Sequence, residues 1–145
     1  MSATAFSGII GAVVALLAQA PAVAASVDRV KLRPVSEAKA TAVTVRPVNS
    51  QCEVGIGYGT GIKWESTFAV ECYGKGNTTT APDLIVDPVL AGTFERLASD
   101  PTLGGRVSRI TPEGVNWEFD VDGQATACAT LFFKVAHATS GSSLA

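Results

Sequence analysis

Lys63-Trp64-Glu65-Ser66-Thr67-Phe68-Ala69-Val70-Glu71-Cys72-Tyr73 alternates cleanly between two faces. Trp64, Phe68, Val70 and Cys72 share one face, with Ser66 its only polar member. Lys63, Glu65, Thr67, Glu71 and Tyr73 share the other. A period of two with aromatic and β-branched content predicts a strand buried on one side. Gly74-Lys75-Gly76-Asn77 follows as a turn, and a helical pattern comes after it.

The same chemistry returns near the C-terminus. Val115, Trp117, Phe119 and Val121 alternate with Asn116, Glu118 and Asp120, which predicts another one-sided strand. Asp122-Gly123 is a tight-turn signal. Residues 126–137 read as the return strand, with Ala127, Ala129, Leu131, Phe133 and Val135 on one face. Phe132 puts an aromatic on its opposite face too, so this strand is expected to be central or covered.

Working back from the first strand, Gly55-Ile56-Gly57-Tyr58-Gly59-Thr60-Gly61 precedes it. The Gly-Lys-Ser/Thr ending of a phosphate loop is missing, and no helix opens after it as a dinucleotide site needs. Two readings stay open. It is a flexible hairpin connection, or a loop that orders when a neighbouring molecule packs on it. Before it, Thr41 to Val48 predicts a strand with Val43 and Val45 on one face and Ala42, Thr44, Arg46 and Val48 on the other. Between Val27 and Val35, Arg29, Lys31 and Arg33 occupy alternate positions of a short extended segment. They are either a solvated edge guarded against aggregation or an ion-pairing edge at a subunit contact.

The N-terminal 25 residues are apolar and end in Ala22-Val23-Ala24-Ala25-Ser26, like a secretory signal. No Lys or Arg precedes Arg29, so the positive region of such a signal is missing. Phe6, Ile9, Ile10, Val13, Val14 and Leu17 recur at helical spacing. An uncleaved amphipathic helix over residues 3–18 is therefore expected, capped by Ser2 or Thr4 and stopped near Pro21.

Downstream, Thr78 to Asp83 starts a second helix whose stripe is Leu84, Ile85, Val89, Leu90, Phe94 and Leu97. Pro88 should kink it, or delay its start to an Asp87 cap. Pro112-Glu113-Gly114 reads as a turn. The tail, residues 138–145, reads as loose. Together these predict one domain over 1–145, an α+β fold. Its sheet is mostly antiparallel, of four to five strands, with two helices packed on one face.

Composition narrows the function. Hydrophobic residues make up 47% of the 145, and charged residues only 17% against a usual ~25%. Less charge is left to cover a solvated surface, which fits a chain that covers part of itself with partners. The net charge of −2 supplies no field for nucleic acid or acidic lipid. Cys52, Cys72 and Cys128 show no C-x-x-C spacing and read as small buried hydrophobes in a reducing compartment, the alternative being a disulfide between two of them with one left over. His137 is the one histidine, next to the loose end, and reads as a surface residue. Glu53, Glu65, Glu71, Glu118, Asp120 and Asp122 sit on polar strand faces or in turns, where solvation accounts for them. No catalytic residue, cofactor or metal site is expected.

Several local motifs, in order, resemble the tail terminator (tail-completion) proteins of long-tailed bacteriophages, the lambda-type group. They are the alanine-rich N-terminal helix, Arg29-Val30 and Leu32-Arg33-Pro34 running into Ala42-Val43-Thr44-Val45, and Trp64 with Val70-Glu71-Cys72-Tyr73. Phe94-Glu95-Arg96-Leu97-Ala98-Ser99-Asp100-Pro101-Thr102-Leu103-Gly104-Gly105, Val115-Asn116-Trp117-Glu118-Phe119-Asp120 and Ala127-Cys128-Ala129-Thr130-Leu131 complete the set. Pro88 departs from the family pattern, which keeps that helix unbroken.

The resemblance implies a non-enzymatic role at the tail–neck junction of a virion, assembled in the host cytoplasm. Members form a homo-hexameric ring that caps the tail tube protein and ends tail elongation. The ring then receives the neck and head-completion proteins, with DNA only passing through its lumen and no membrane involved. On this footing Arg29, Lys31, Arg33 and Arg46, with Gly55, Gly57, Tyr58, Gly59 and Gly61, are the candidate intersubunit or tube contacts. The competing readings are a head-side connector, a secreted α+β binding protein and a small hydrolase using His137.

Overall fold

In the computed structural model, the described residues are 3–30, 39–53, 57–119 and 125–145. The element order is α1 (Ala5–Ala18), β1 (Val27–Arg29), β2 (Thr41–Cys52), β3 (Ile62–Lys75), α2 (Pro82–Ala98), β4 (Arg109–Phe119) and β5 (Thr126–Thr139). Five strands form one sheet in the order β1-β2-β3-β5-β4. Among the described residues the β1–β2 pair is parallel and the other three pairs are antiparallel. The α+β architecture expected from the alternation is the one observed.

The opening stretch is the central strand, β3. Phe68, Val70 and Cys72 face both helices and are buried in the core. Ala69 on the opposite face is buried as well, because β2 and β5 flank it and their side chains close over a small residue. On this helix-free face Arg46 Nε donates to Glu71 Oε1 at 2.6 Å, and Tyr73 Oη donates to Glu71 Oε2 at 2.6 Å. Burial and the Glu71 partner both push the Tyr73 phenol up, so it stays protonated. β5 lies between β3 and β4, the central place its two aromatic faces implied.

α1 buries Ile9, Ile10, Val13, Leu16 and Leu17, and Thr4 Oγ1 accepts from Ser7 N as its cap. α2 runs unbroken through Pro88. Asp87 and Pro88 are exposed, so the hydrogen bond that proline removes lies on the solvent side, where water can replace it. The helix starts at Pro82, without a side-chain cap and with Asp83 in its first turn.

The two helices are joined by Arg96. Its Nη1 donates to Leu16 O at 2.8 Å and Gln19 O at 3.1 Å, and its Nη2 donates to Pro21 O at 2.7 Å. A cation on the carbonyl end of α1 satisfies orphan acceptors and opposes the helix dipole. Arg96→Met keeps the stem and removes the donors. It should cost about 2 kcal/mol in urea unfolding, the range of a hydrogen bond to a charged group.

Three readings are corrected here. Pro112-Glu113-Gly114 is not a turn but a bulge inside β4, which already begins at Arg109. The proline is tolerated because β4 is an edge strand and an extra residue absorbs the irregularity. Cys52 is exposed, at the far end of β2, whereas Cys72 and Cys128 are buried. Burial pushes the Cys72 thiol up to about 12, so it remains protonated and inert. His137 is buried rather than on the surface, because β5 extends through it to Thr139.

Candidate interaction surface

β4 pairs Val115 with Leu131, Trp117 with Ala129 and Phe119 with Ala127. Directly paired residues point to the same side. Leu131, Ala129 and Ala127 belong to the core under the helices, so the three β4 side chains also face the helix side. They are nevertheless exposed, Trp117 by 42% and Phe119 by 58%. The reason is width. A helix is about 10 Å across and strands are about 4.8 Å apart, so two helices cover about four strands. α1 packs on β1 and β2 and α2 on β3 and β5, which leaves β4 beyond them.

The uncovered strip continues onto α2. Leu90, Phe94, Val115 and Leu131 line one shallow apolar groove of about 460 Å³. Phe94 is 45% exposed, and Leu84 one helix face further along is exposed too. Trp117 and Phe119 stack at 6.5 Å between ring centroids. Glu95 and Glu113 line the same groove, and Asp83 and Asp87 are exposed on α2. Arg96, the base nearest in sequence to Phe94, is turned inward to the α1 carbonyls. The alternation of Val115, Trp117 and Phe119 was legible in the sequence. That β4 would be the outermost strand was not.

The residues expected to make contacts are spread over three places. Arg29 is exposed on β1, where its Nη2 donates to Ser7 O at 3.3 Å and Ser7 Oγ at 3.1 Å. Arg46 sits on the helix-free face, engaged by Glu71. Gly57, Tyr58, Gly59 and Gly61 lie in the β2–β3 hairpin loop, with Tyr58 96% exposed. Lys31, Arg33 and Gly55 fall outside the described residues, as do Asp120, Val121 and the Asp122-Gly123 turn. The loop is held from below. Gly59 N donates to Gly141 O at 3.0 Å, and a β-carbon on Gly141 would run into the Thr60 backbone. The segment read as a loose tail thus supports the loop, and Leu144 O accepts from Ala5 N at 2.7 Å.

A polar row lies at the other end of the sheet. Ser50 Oγ donates to Ser66 Oγ at 2.8 Å, and Ser66 Oγ lies 2.7 Å from His137 Nε2. Phe6 of α1 packs edge-on against both Trp64 and His137. His137 is only 7% exposed, and among the described residues its buried Nδ1 has no hydrogen-bond partner. Phe6 packs on the ring, and His137 also borders a cleft of about 920 Å³ lined by Glu53, Trp64 and Glu65.

Desolvation lowers the His137 pKa below its ordinary 6.5. Between the folded and unfolded values the unfolded chain binds the extra proton. His137 therefore contributes stability that is complete above about pH 6.5 and declines as pH falls through the folded value. The urea midpoint should drop between about pH 7.5 and 5.5, and His137→Gln should flatten that drop. An equal slope in the variant would remove His137 as its source.

No known family model matches this chain, and no curated protein matches it.

Proposed function

We propose that this chain is a structural ring subunit of the phage tail-terminator type. In this reading it caps the head-proximal end of a tail tube, stops the tube protein adding, and offers the outer surface to neck proteins. The observation that carries the reading is the apolar strip of β4 and α2. An apolar strip of this kind, centred on stacked aromatics and rimmed by charge, marks a surface made for another protein. A ring subunit needs such a surface on its flank as well as others toward tube and neck. The ordered resemblance of the motifs around Phe94–Gly105 and Val115–Phe119 adds the particular assembly, since those motifs build this strip. No helix among the described residues is long and apolar enough to cross a membrane.

The test is electron microscopy of particles from a phage carrying a deletion of this gene. Overlong tails separated from DNA-filled heads are the expected result. Unattached tails of normal length would move the role to the joining step or the head side. Normal virions would end the assembly reading.

A further inference from the structure

We infer that the first turn of α1 is an acid-released cover for His137: protonation of the ring drives Phe6 off it and opens that turn, while the rest of α1 stays in place. This stands apart from the terminator reading.

An imidazolium is a donor at both nitrogens. Ser66 Oγ, 2.7 Å from Nε2, accepts one of these hydrogens. Nδ1 is buried and has no hydrogen-bond partner among the described residues. With the cover shut, the second hydrogen would carry its charge with neither a bond nor water.

Among the described residues the surrounding elements hold no anion on the face of the ring. α1 has no titratable side chain from Ala5 to Ala18. Cys52 on β2 is paired with Trp64, and Trp64 with His137, so the thiol shares their face. Lys63 and Glu65 alternate with Trp64 onto the other face, where Glu65 meets Arg109 at 3.6 Å. Glu53 is level with Lys63, to whose carbonyl its N–H donates at 3.2 Å. Arg106, ahead of β4, lies along α1: its Nη1 is 3.0 Å from where a β-carbon on Gly8 would stand. The charged group lying against the cover is thus another cation, which cannot compensate an imidazolium.

Phe6 is the neighbour able to move. Trp64 is tied by Nε1 donating to Thr139 Oγ1 at 2.9 Å, and Ser66 by Ser50 Oγ donating to it at 2.8 Å. The Phe6 side chain is held by packing alone, its ring 5.1 Å from that of Trp64 and 5.3 Å from that of His137. It is half-buried, whereas the buried residues of α1 begin at Ile9. Between them stands Ser7-Gly8, the kind of pair at which helices bend. The other ties of this turn, Ala5 N to Leu144 O and Arg29 to Ser7, run to exposed residues, where water replaces them readily. Helix ends of this kind open locally, far below the energy of global unfolding. Once Phe6 is off, water from the adjoining cleft reaches the ring.

The sign follows from linkage. The open form titrates at the ordinary imidazole value of about 6.5, and the closed form below it, burial being the cause. Between the two values each fall of one pH unit multiplies the open-to-closed ratio by about ten.

Nuclear magnetic resonance on the full chain tests this, because the chain has one histidine and its imidazole signals are assigned at once. From about pH 7.5 to 5, the amides of residues 5–8 should shift with the midpoint of the ring nitrogens, and those of residues 13–17 should stay. Phe6→Ala removes the cover without touching the buried residues of α1, and its imidazole midpoint should rise to about 6.5. His137→Gln should abolish the shifts at residues 5–8. Still amides at 5–8 while the ring titrates would overturn the inference. So would residues 13–17 moving in step with them, which is general unfolding. A wild-type midpoint in Phe6→Ala, or persistent shifts at 5–8 in His137→Gln, would overturn it too. Should His137→Gln fail to fold, the wild-type titration and Phe6→Ala decide the matter without it.

Discussion

Phe68→Ala is expected to lower the unfolding free energy by about 4 kcal/mol, the middle of the range for emptying a buried phenylalanine site. Phe68 is 2% exposed at the centre of β3 and stacks on Phe133 at 5.5 Å, with planes 20° apart. The strand on each side is hydrogen-bonded to its neighbours, so the backbone cannot collapse into the space. Domains of this size are stable by about 5–15 kcal/mol, and the variant would lose a large share of that. Its thermal midpoint should fall by about 12 °C. Phe68→Leu fills most of the same volume and should cost less than about 1.5 kcal/mol. Equal costs for the two variants would show that the site relaxes freely and that Phe68 is not a packing centre.

Gly74→Ala is expected to cost about 3 kcal/mol, at the upper end for overpacking, because the obstruction is main chain. A β-carbon at Gly74 would sit 2.6 Å from Val86 N and 2.9 Å from Val86 Cα. The first turns of α2 rest directly on β3 at this point, and only hydrogen fits between them. A side-chain obstruction could be relieved by trimming the neighbour. Gly74→Ala combined with Val86→Ala should therefore be less stable than either single variant, measured by urea unfolding with circular dichroism. Recovery of stability in the double variant would place the obstruction in the Val86 side chain instead. The alternation in Lys63–Tyr73 gave no hint of this contact, since Gly74 reads simply as the start of a turn.

Element type was largely legible. The two-residue period of Trp64, Ser66, Phe68, Val70 and Cys72 depends on the strand's own backbone, and it held along β3 except at Ala69, which is buried on the other face. The spacing of Ile9, Ile10, Val13 and Leu17 likewise specifies a helix face, and these four residues are buried in α1. Two errors have one cause. Pro112-Glu113-Gly114 carries turn chemistry, yet pairing with β5 on either side holds it inside a strand as a bulge. His137 follows the last obvious core residue, yet pairing with β3 continues past it to Thr139.

The site was legible only in part. The sequence contained the alternation of Val115, Trp117 and Phe119, the acids around them and the bases from Arg29 onward, because these are local properties of the chain. Strand order is not local. It follows from β5 inserting between β3 and β4, through pairs 51 to 77 residues apart, from Lys75 with Thr126 to Ile62 with Thr139. Only that insertion pushes β4 outside the reach of α2 and turns a core-like apolar row into an exposed one. The chain by itself determined which residues could form strands, helices and charged flanks. Tertiary structure decided which of them the two helices were wide enough to cover.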